Sequence, residues 1–219
     1  MIVEHNRTSH PQTLHPYLTL STAAISSIMS SEAFTLFASP DTDVWKKPPS
    51  HNVYSAPTKA VPTKSLSQFK SAKITFSADW SEQYDQGGLI LTFDSLSGRE
   101  RRWIKTGLEY YNGTQQISTV SCHSWADWSI VPLTAFEDTK TITVLVEKVH
   151  DDLGLGLWIY YVKQDGTKEP LREVCWVYGD DDASGTDWNL TVGALAARPA
   201  KDAKSDLEVQ FKDFDVQWE

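Results

Sequence analysis

The sequence predicts an all-β fold: two antiparallel sheets packed face to face as a sandwich or jelly roll. Three observations carry that expectation. Apolar and polar residues alternate over short runs from residue 33 onward, no segment keeps a 3.6-residue period, and turn residues separate the runs at close intervals. At 219 residues the chain has a length at which all-β folds often stay undivided, so one large domain is expected.

Residues 1–28 are polar, rich in Ser, Thr and His, and without steady period; they are expected to be a disordered tail ahead of a domain at 29–219. Met29, followed by Ser30-Ser31-Glu32, reads as a natural start. Residues 33–38 (AFTLFA) form a short strand. Residues 40–66 hold five of the ten prolines, which remove ladder donors and predict a long loop or edge segment. Residues 73–78 (KITFSA), 88–94 (GLILTFD) and 102–111 (RWIKTGLEYY) alternate as strands. The last ends at Asn112-Gly113, the strongest short hairpin signal, and 116–123 follow it. Residues 141–148 (TITVLVEK) lead into the turn at Asp151-Asp152-Leu153-Gly154, and 155–162 (LGLWIYYV) into Gln164-Asp165-Gly166. Residues 171–178, 189–196 and 208–218 complete the set.

Composition narrows the partners. A net charge of −9 and a pI near 5.1 give no basic field for nucleic acid or anionic membranes, so neither is expected. The apolar stretches fall well short of the roughly 20 residues of a membrane helix, and the N-terminus has no basic region leading into an apolar run. Two cysteines, Cys122 and Cys175, read as reduced and structural, in keeping with a cytoplasmic location. No cofactor or metal is expected: there is no Cys/His cluster or phosphate loop, and Asp180-Asp181-Asp182 lacks calcium-loop spacing.

Parity sorts side chains on a strand. One set is aliphatic, for example Leu89, Leu91 and Phe93. The other gathers Gln86, Trp103, Lys105, Glu109, Thr119, His123, Glu147, Trp158 and Tyr160. Aromatic rings interleaved with ionisable groups suit a ligand platform on a concave sheet, against the plainer reading of cross-strand pairs on a solvated face.

Several strings occur in a telling order: Thr42-Asp43-Val44-Trp45, Tyr84-Asp85-Gln86-Gly87-Gly88-Leu89, Trp103-Ile104-Lys105-Thr106-Gly107-Leu108-Glu109-Tyr110, Ile117-Ser118-Thr119-Val120 and Asp127-Trp128-Ser129. With Gly193, Ala197-Arg198-Pro199 and Phe211-Lys212-Asp213-Phe214, they resemble the DUF1349 family, also called the regulation-of-enolase family. The family commonly has Phe at the place of Val44 and Ala at the place of Gly87. The resemblance implies a concanavalin A-like β-sandwich (jelly roll) of two antiparallel sheets and, for many members, a cytosolic location; function is not inherited with the fold.

The chemistry leaves three functions open. The first is a binding module for a small polar, sugar-like ligand, with Trp45, Tyr84, Trp103, Trp158 and Tyr160 walling or stacking and Gln86, Lys105 and Glu109 hydrogen-bonding. The second is an enzyme using Glu109 or His123 in acid–base catalysis on a glycoside or another metabolite. Glucanase-type carboxylates at i, i+2 and i+4 are missing from every credible strand, which disfavours ordinary glucanase chemistry. The third is a regulator contacting a metabolic enzyme. Asp85 and Asp127 read as turn-fixing residues, with Trp128 anchoring a loop.

Overall fold

β-Branched and aromatic residues at every second position fit a pleated, half-buried surface, and they dominate the strands that form. The structure, a computed structural model, describes residues 26–30, 32–136, 140–179 and 186–219. In chain order the strands are β1 (Ser26–Ser30), β2 (Phe34–Ala38), β3 (Val44–Lys47), β4 (His51–Tyr54), β5 (Thr58–Ala60), β6 (Lys64–Ser65), β7 (Phe69–Ala78), β8 (Gln86–Ser95), β9 (Arg102–Tyr111), β10 (Thr114–Cys122), β11 (Ala126–Pro132), β12 (Ile142–Asp151), β13 (Gly154–Val162), β14 (Lys168–Val174), β15 (Trp188–Ala197) and β16 (Leu207–Trp218). Among the described residues the only helices are three short 3₁₀ turns, and none is long and apolar enough to cross a membrane.

A back sheet runs β1-β16-β7-β12-β13-β14, with β2 also on β16. A front sheet runs β11-β10-β9-β8-β15-β5, with β6 also on β15. The strand pairs are antiparallel, as the sandwich expectation requires. Between the sheets lies a core with Phe69, Phe76, Phe93, Trp188, Phe211 and Trp218 nearly or fully buried. Each such side chain contributes roughly 1.5–3 kcal/mol on leaving water.

A smaller second core lies on the outer face of the front sheet. The β3–β4 hairpin folds over that face and inserts Val44 among Ile90, Trp103, Val120, Cys122 and Leu195. Lys46 pairs with Glu100, and the hydroxyls of Tyr54 and Thr92 lie 2.6 Å apart. The hairpin is thus fastened by packing first and polar bonds second.

Three expectations change. β1 begins at Ser26, inside the stretch expected to be a tail, and pairs with Phe214–Trp218 of β16; residues 1–25 lie outside the described residues, as does Asp180-Asp181-Asp182. The proline-rich stretch is not one loop but the short strands β3 to β6, since successive prolines still leave room for two- to four-residue ladders between them; its edge reading holds for β5, which ends the front sheet beside β15. Strand β14 stops at Val174, where Cys175–Tyr178 turn as a 3₁₀ helix. Both cysteines are free, Cys122 buried and Cys175 exposed.

Candidate functional site

The Asn112-Gly113 turn sets the geometry of the front sheet. Both residues take positive φ, 49° and 77°, as a tight two-residue hairpin turn requires. The turn pairs Tyr111 with Thr114, and the register follows: Glu109 opposite Gln116, Gly107 opposite Ser118, Lys105 opposite Val120, Trp103 opposite Cys122. Across the other edge of β9, Gln86 stands opposite Glu109 and Gly88 opposite Gly107. Parity therefore puts Gln86, Lys105, Glu109 and Ser118 on one outer face.

The glycine pair shapes the floor. A Cβ on Gly107 would sit 2.0 Å from the Gly87 carbonyl oxygen, and one on Gly88 2.1 Å from that of Thr106. With no side chain between them, Lys105 reaches diagonally across the strands to Gln86. Its Nζ donates to Gln86 Oε1 at 2.6 Å and to Asp43 Oδ1 at 3.3 Å. Asp43 comes from the entry to the β3–β4 hairpin, where the same Oδ1 accepts from the Val44 backbone N–H at 2.7 Å and from Gln86 Nε2 at 3.4 Å. A buried ammonium, 5% exposed, is thereby matched with a carboxylate, as burial of charge demands.

Glu109 is 6% exposed. Its Oε2 accepts from Ser118 Oγ at 2.9 Å and from Trp128 Nε1 at 2.9 Å, while Oε1 takes neither bond. Burial pushes its carboxyl above the ordinary value, against the charge of Lys105 and the two hydrogen bonds; the charge of Asp43 adds to the upward push. Trp128 comes from β11, and its ring meets Tyr111 edge to face at 5.1 Å. Tyr111 in turn meets Tyr84 at 5.7 Å. Tyr84 is held at a positive φ of 69° by its backbone bond to the Tyr110 carbonyl, and its ring stays 40% exposed.

These groups enclose a cleft of about 530 Å³ between the hairpin and the front sheet. Asp43 and Trp45 wall it from the hairpin, Tyr84 and Trp128 from the rim, and Gln86, Lys105 and Glu109 form its base. A larger hollow, about 820 Å³, opens elsewhere near Ser77, Arg198 and Glu208; among the described residues its lining is polar and without an aromatic ring, and its Arg198 is already bonded to Asp85.

Of the residues singled out from the sequence, Trp45, Tyr84, Gln86, Lys105 and Glu109 meet in this cleft. Trp103 does not: at 3% exposure it is part of the second core beneath the hairpin, although its ring lies 5.9 Å from Lys105 Nζ. Trp158 and Tyr160 belong to the back sheet, because β13 pairs with β12 and β14; they stack on each other with centroids 6.1 Å apart, and Glu147 beside them binds Lys168. His123 and Thr119 have the parity of Ile117 and so lie on the opposite side of the sheet from Lys105. His123 stands exposed just past β10, its Nδ1 3.0 Å from Ser124 Oγ and its ring on Trp176. Asp127 and Trp128 lie in a strand, not a loop, and Asp127 pairs with Arg172 of β14. Asp85 does fix its turn, accepting from the N–H groups of Ser81 and Glu82 while pairing with Arg198.

The sequence reading missed Asp43, Ser118 and Trp128 as site residues. The two-residue turn held the signal for Ser118, since it fixes which residues of β10 share a face with Lys105. Nothing local places Asp43 there: its approach depends on a hairpin docking from 62 residues away.

The comparisons agree with this architecture. A family model described as "Protein of unknown function (DUF1349)" matches residues 21–218. An uncharacterized protein of Emericella nidulans is 43% identical over 180 residues, 81% of this chain and 82% of that one. A functionally unknown protein from Saccharomyces cerevisiae shares the fold with a TM-score of 0.64 at 21% identity, over 86% of this chain and 89% of that one. A xylan β-1,4-xylosidase from Bacillus halodurans C-125 gives 0.58 at 12% identity, over 85% of this chain but 33% of that one.

Proposed function

The chain belongs to the DUF1349 family of proteins of unknown function and folds as a concanavalin A-like sandwich, and from that footing we propose that it binds a small, sugar-like ligand in the cleft under its β3–β4 hairpin. The observation that supports this most is the base of the cleft: a buried Lys105 ammonium paired with the half-buried Asp43, and a buried Glu109 beside it, rimmed by Trp45, Tyr84 and Trp128. Rings offer flat apolar faces for a pyranose, and fixed polar atoms orient its hydroxyls. An intracellular location accords with the two free cysteines.

Calorimetric titration of the full chain with mono- and oligosaccharides tests the proposal. Binding that weakens at least roughly tenfold in Trp128→Ala and in Lys105→Ala supports it. Saturable binding that neither substitution alters would move the ligand elsewhere and sink it.

A second reading is favoured by one feature of Glu109: its carboxyl is held toward the protonated form, with Oε1 outside the two framework bonds. In that reading Glu109 transfers a proton to or from a bound ligand at Oε1. Glu109→Gln separates the two. Turnover lost with binding kept speaks for catalysis; no turnover in the wild type leaves binding alone.

A further inference from the structure

We propose that Asp43 makes the cleft selective for uncharged saccharides, rejecting phosphorylated or carboxylated ones, by claiming the Lys105 ammonium that an anion would otherwise take. This rests on the binding function just proposed and narrows its ligand class.

The two carboxylates of the cleft divide their oxygens unequally between the protein and the open space. Asp43 uses Oδ1 for all three of its side-chain bonds, from the Val44 N–H, Gln86 Nε2 and Lys105 Nζ. Oδ2 takes none of them, and the side chain is 24% exposed. Glu109 likewise uses Oε2 for Ser118 and Trp128 and leaves Oε1 outside both bonds. Each acid is tied to the protein through one oxygen and has a second one left over on a residue that lines the cleft. An incoming phosphate or carboxylate meets both acids. A hydroxyl, by contrast, can donate to either leftover oxygen and accept from a donor at the same time.

The cations do not reverse this. Lys105 is the buried one, and it already has Asp43 at 3.3 Å and the Gln86 carbonyl at 2.6 Å. Two of its three N–H groups are thus engaged, leaving one for a neutral acceptor such as a hydroxyl oxygen. Lys47, also on the lining, is exposed, so water and salt screen its charge. The aromatic face between Trp45 and Trp103 is likewise occupied, by Lys105 itself at 5.8 and 5.9 Å from the two rings, so a ligand ammonium finds no empty cage there. A neutral ring with adjacent hydroxyls, one on Lys105 and one on Glu109 Oε1, is the chemistry left.

Calorimetry on the full chain tests this with matched probes: glucose, xylose and their oligomers against glucose 6-phosphate and glucuronate. The wild type is expected to bind the neutral member of a pair at least roughly tenfold more tightly, the size of one partly screened charge–charge term. Asp43→Asn keeps the size and shape of the side chain while removing its charge, and it is expected to erase most of that gap. Adding Lys105→Gln to Asp43→Asn is expected to remove the regained anion affinity. Wild-type preference for the anionic member, or an unchanged ratio in a folded Asp43→Asn protein, overturns the selectivity while leaving the binding function intact. Failure of saccharides of both kinds to bind overturns the binding function, and this inference with it.

Discussion

Gly88 and Gly107 face each other across β8 and β9 with no room for a side chain on either: a Cβ on Gly107 would lie 2.7 Å from Gly88 Cα as well as 2.0 Å from the Gly87 oxygen. Backbone cannot yield as a flexible side chain does. Gly107→Ala is therefore expected to destabilise the fold by about 3 kcal/mol, near the upper end for overpacking. It also lifts the floor over which Lys105 reaches Gln86. Urea denaturation gives the first effect; a variant as stable as the wild type would show that β8 and β9 part easily.

Glu109 predicts a pH signature. Its pKa in the fold lies above the ordinary value of 4.5, so the folded chain holds this proton more tightly than the unfolded one. The stability that this proton contributes is fully present below the unfolded value and is lost as pH rises through the raised one. Glutamine has no proton to lose. The unfolding free energy of Glu109→Gln relative to wild type should thus move in favour of the variant as pH climbs above 4.5, then level off. Denaturation curves from pH 4 to 8 supply the comparison, and a flat difference throughout would refute the assignment.

Two tryptophans should behave differently. Trp128→Ala removes a cleft wall and a hydrogen bond to Glu109, and is expected to weaken saccharide binding roughly tenfold or more. Trp158→Ala alters the back sheet and is expected to leave affinity unchanged. Equal losses in both would mean that the ligand sits on neither face as described.

Arg198 and Asp85 form a buried bidentate pair at 2.8 and 2.7 Å, with 4% and 0% of their side chains exposed. Arg198→Ala leaves Asp85 charged and buried, at a cost of about 3–5 kcal/mol. Arg198→Lys should recover only part of this, because an ammonium lacks the planar fork. Melting temperatures of the two variants order the effect, and full recovery by Lys would contradict it.

Much of the fold was legible because alternation and turn chemistry are local. The strand 102–111 was marked by alternation on one side and Asn112-Gly113 on the other, and β9 has those bounds. The site was legible along β8 and β9 for the same reason, which is why Gln86, Lys105 and Glu109 came out together. Parity tells which residues of one strand share a face, but not which sheet the strand joins. Parity alone groups Trp158 and Tyr160 with Lys105, although β13 joins the other sheet through β12, which pairs with β7. Aromatic richness also misled. Trp103, Trp188 and Trp218 are nearly or fully buried in packing roles, so the count of rings says more about the cores than about a ligand.

The place of β16 in the back sheet has a consequence for biogenesis. This strand, the latest in chain order, lies between β7 on one side and β1 and β2 on the other. Until residues 207–218 leave the ribosome, β1 and β2 have no ladder to join and the core lacks Phe211, Phe214, Val216 and Trp218. Vectorial synthesis thus cannot complete the sandwich from its early strands; closure waits for residues 207–218, as long-range pairing makes β folds slow to assemble. A nascent chain arrested short of Leu207 should remain open to protease, and a resistant one would mean that the front sheet can stand without its partner.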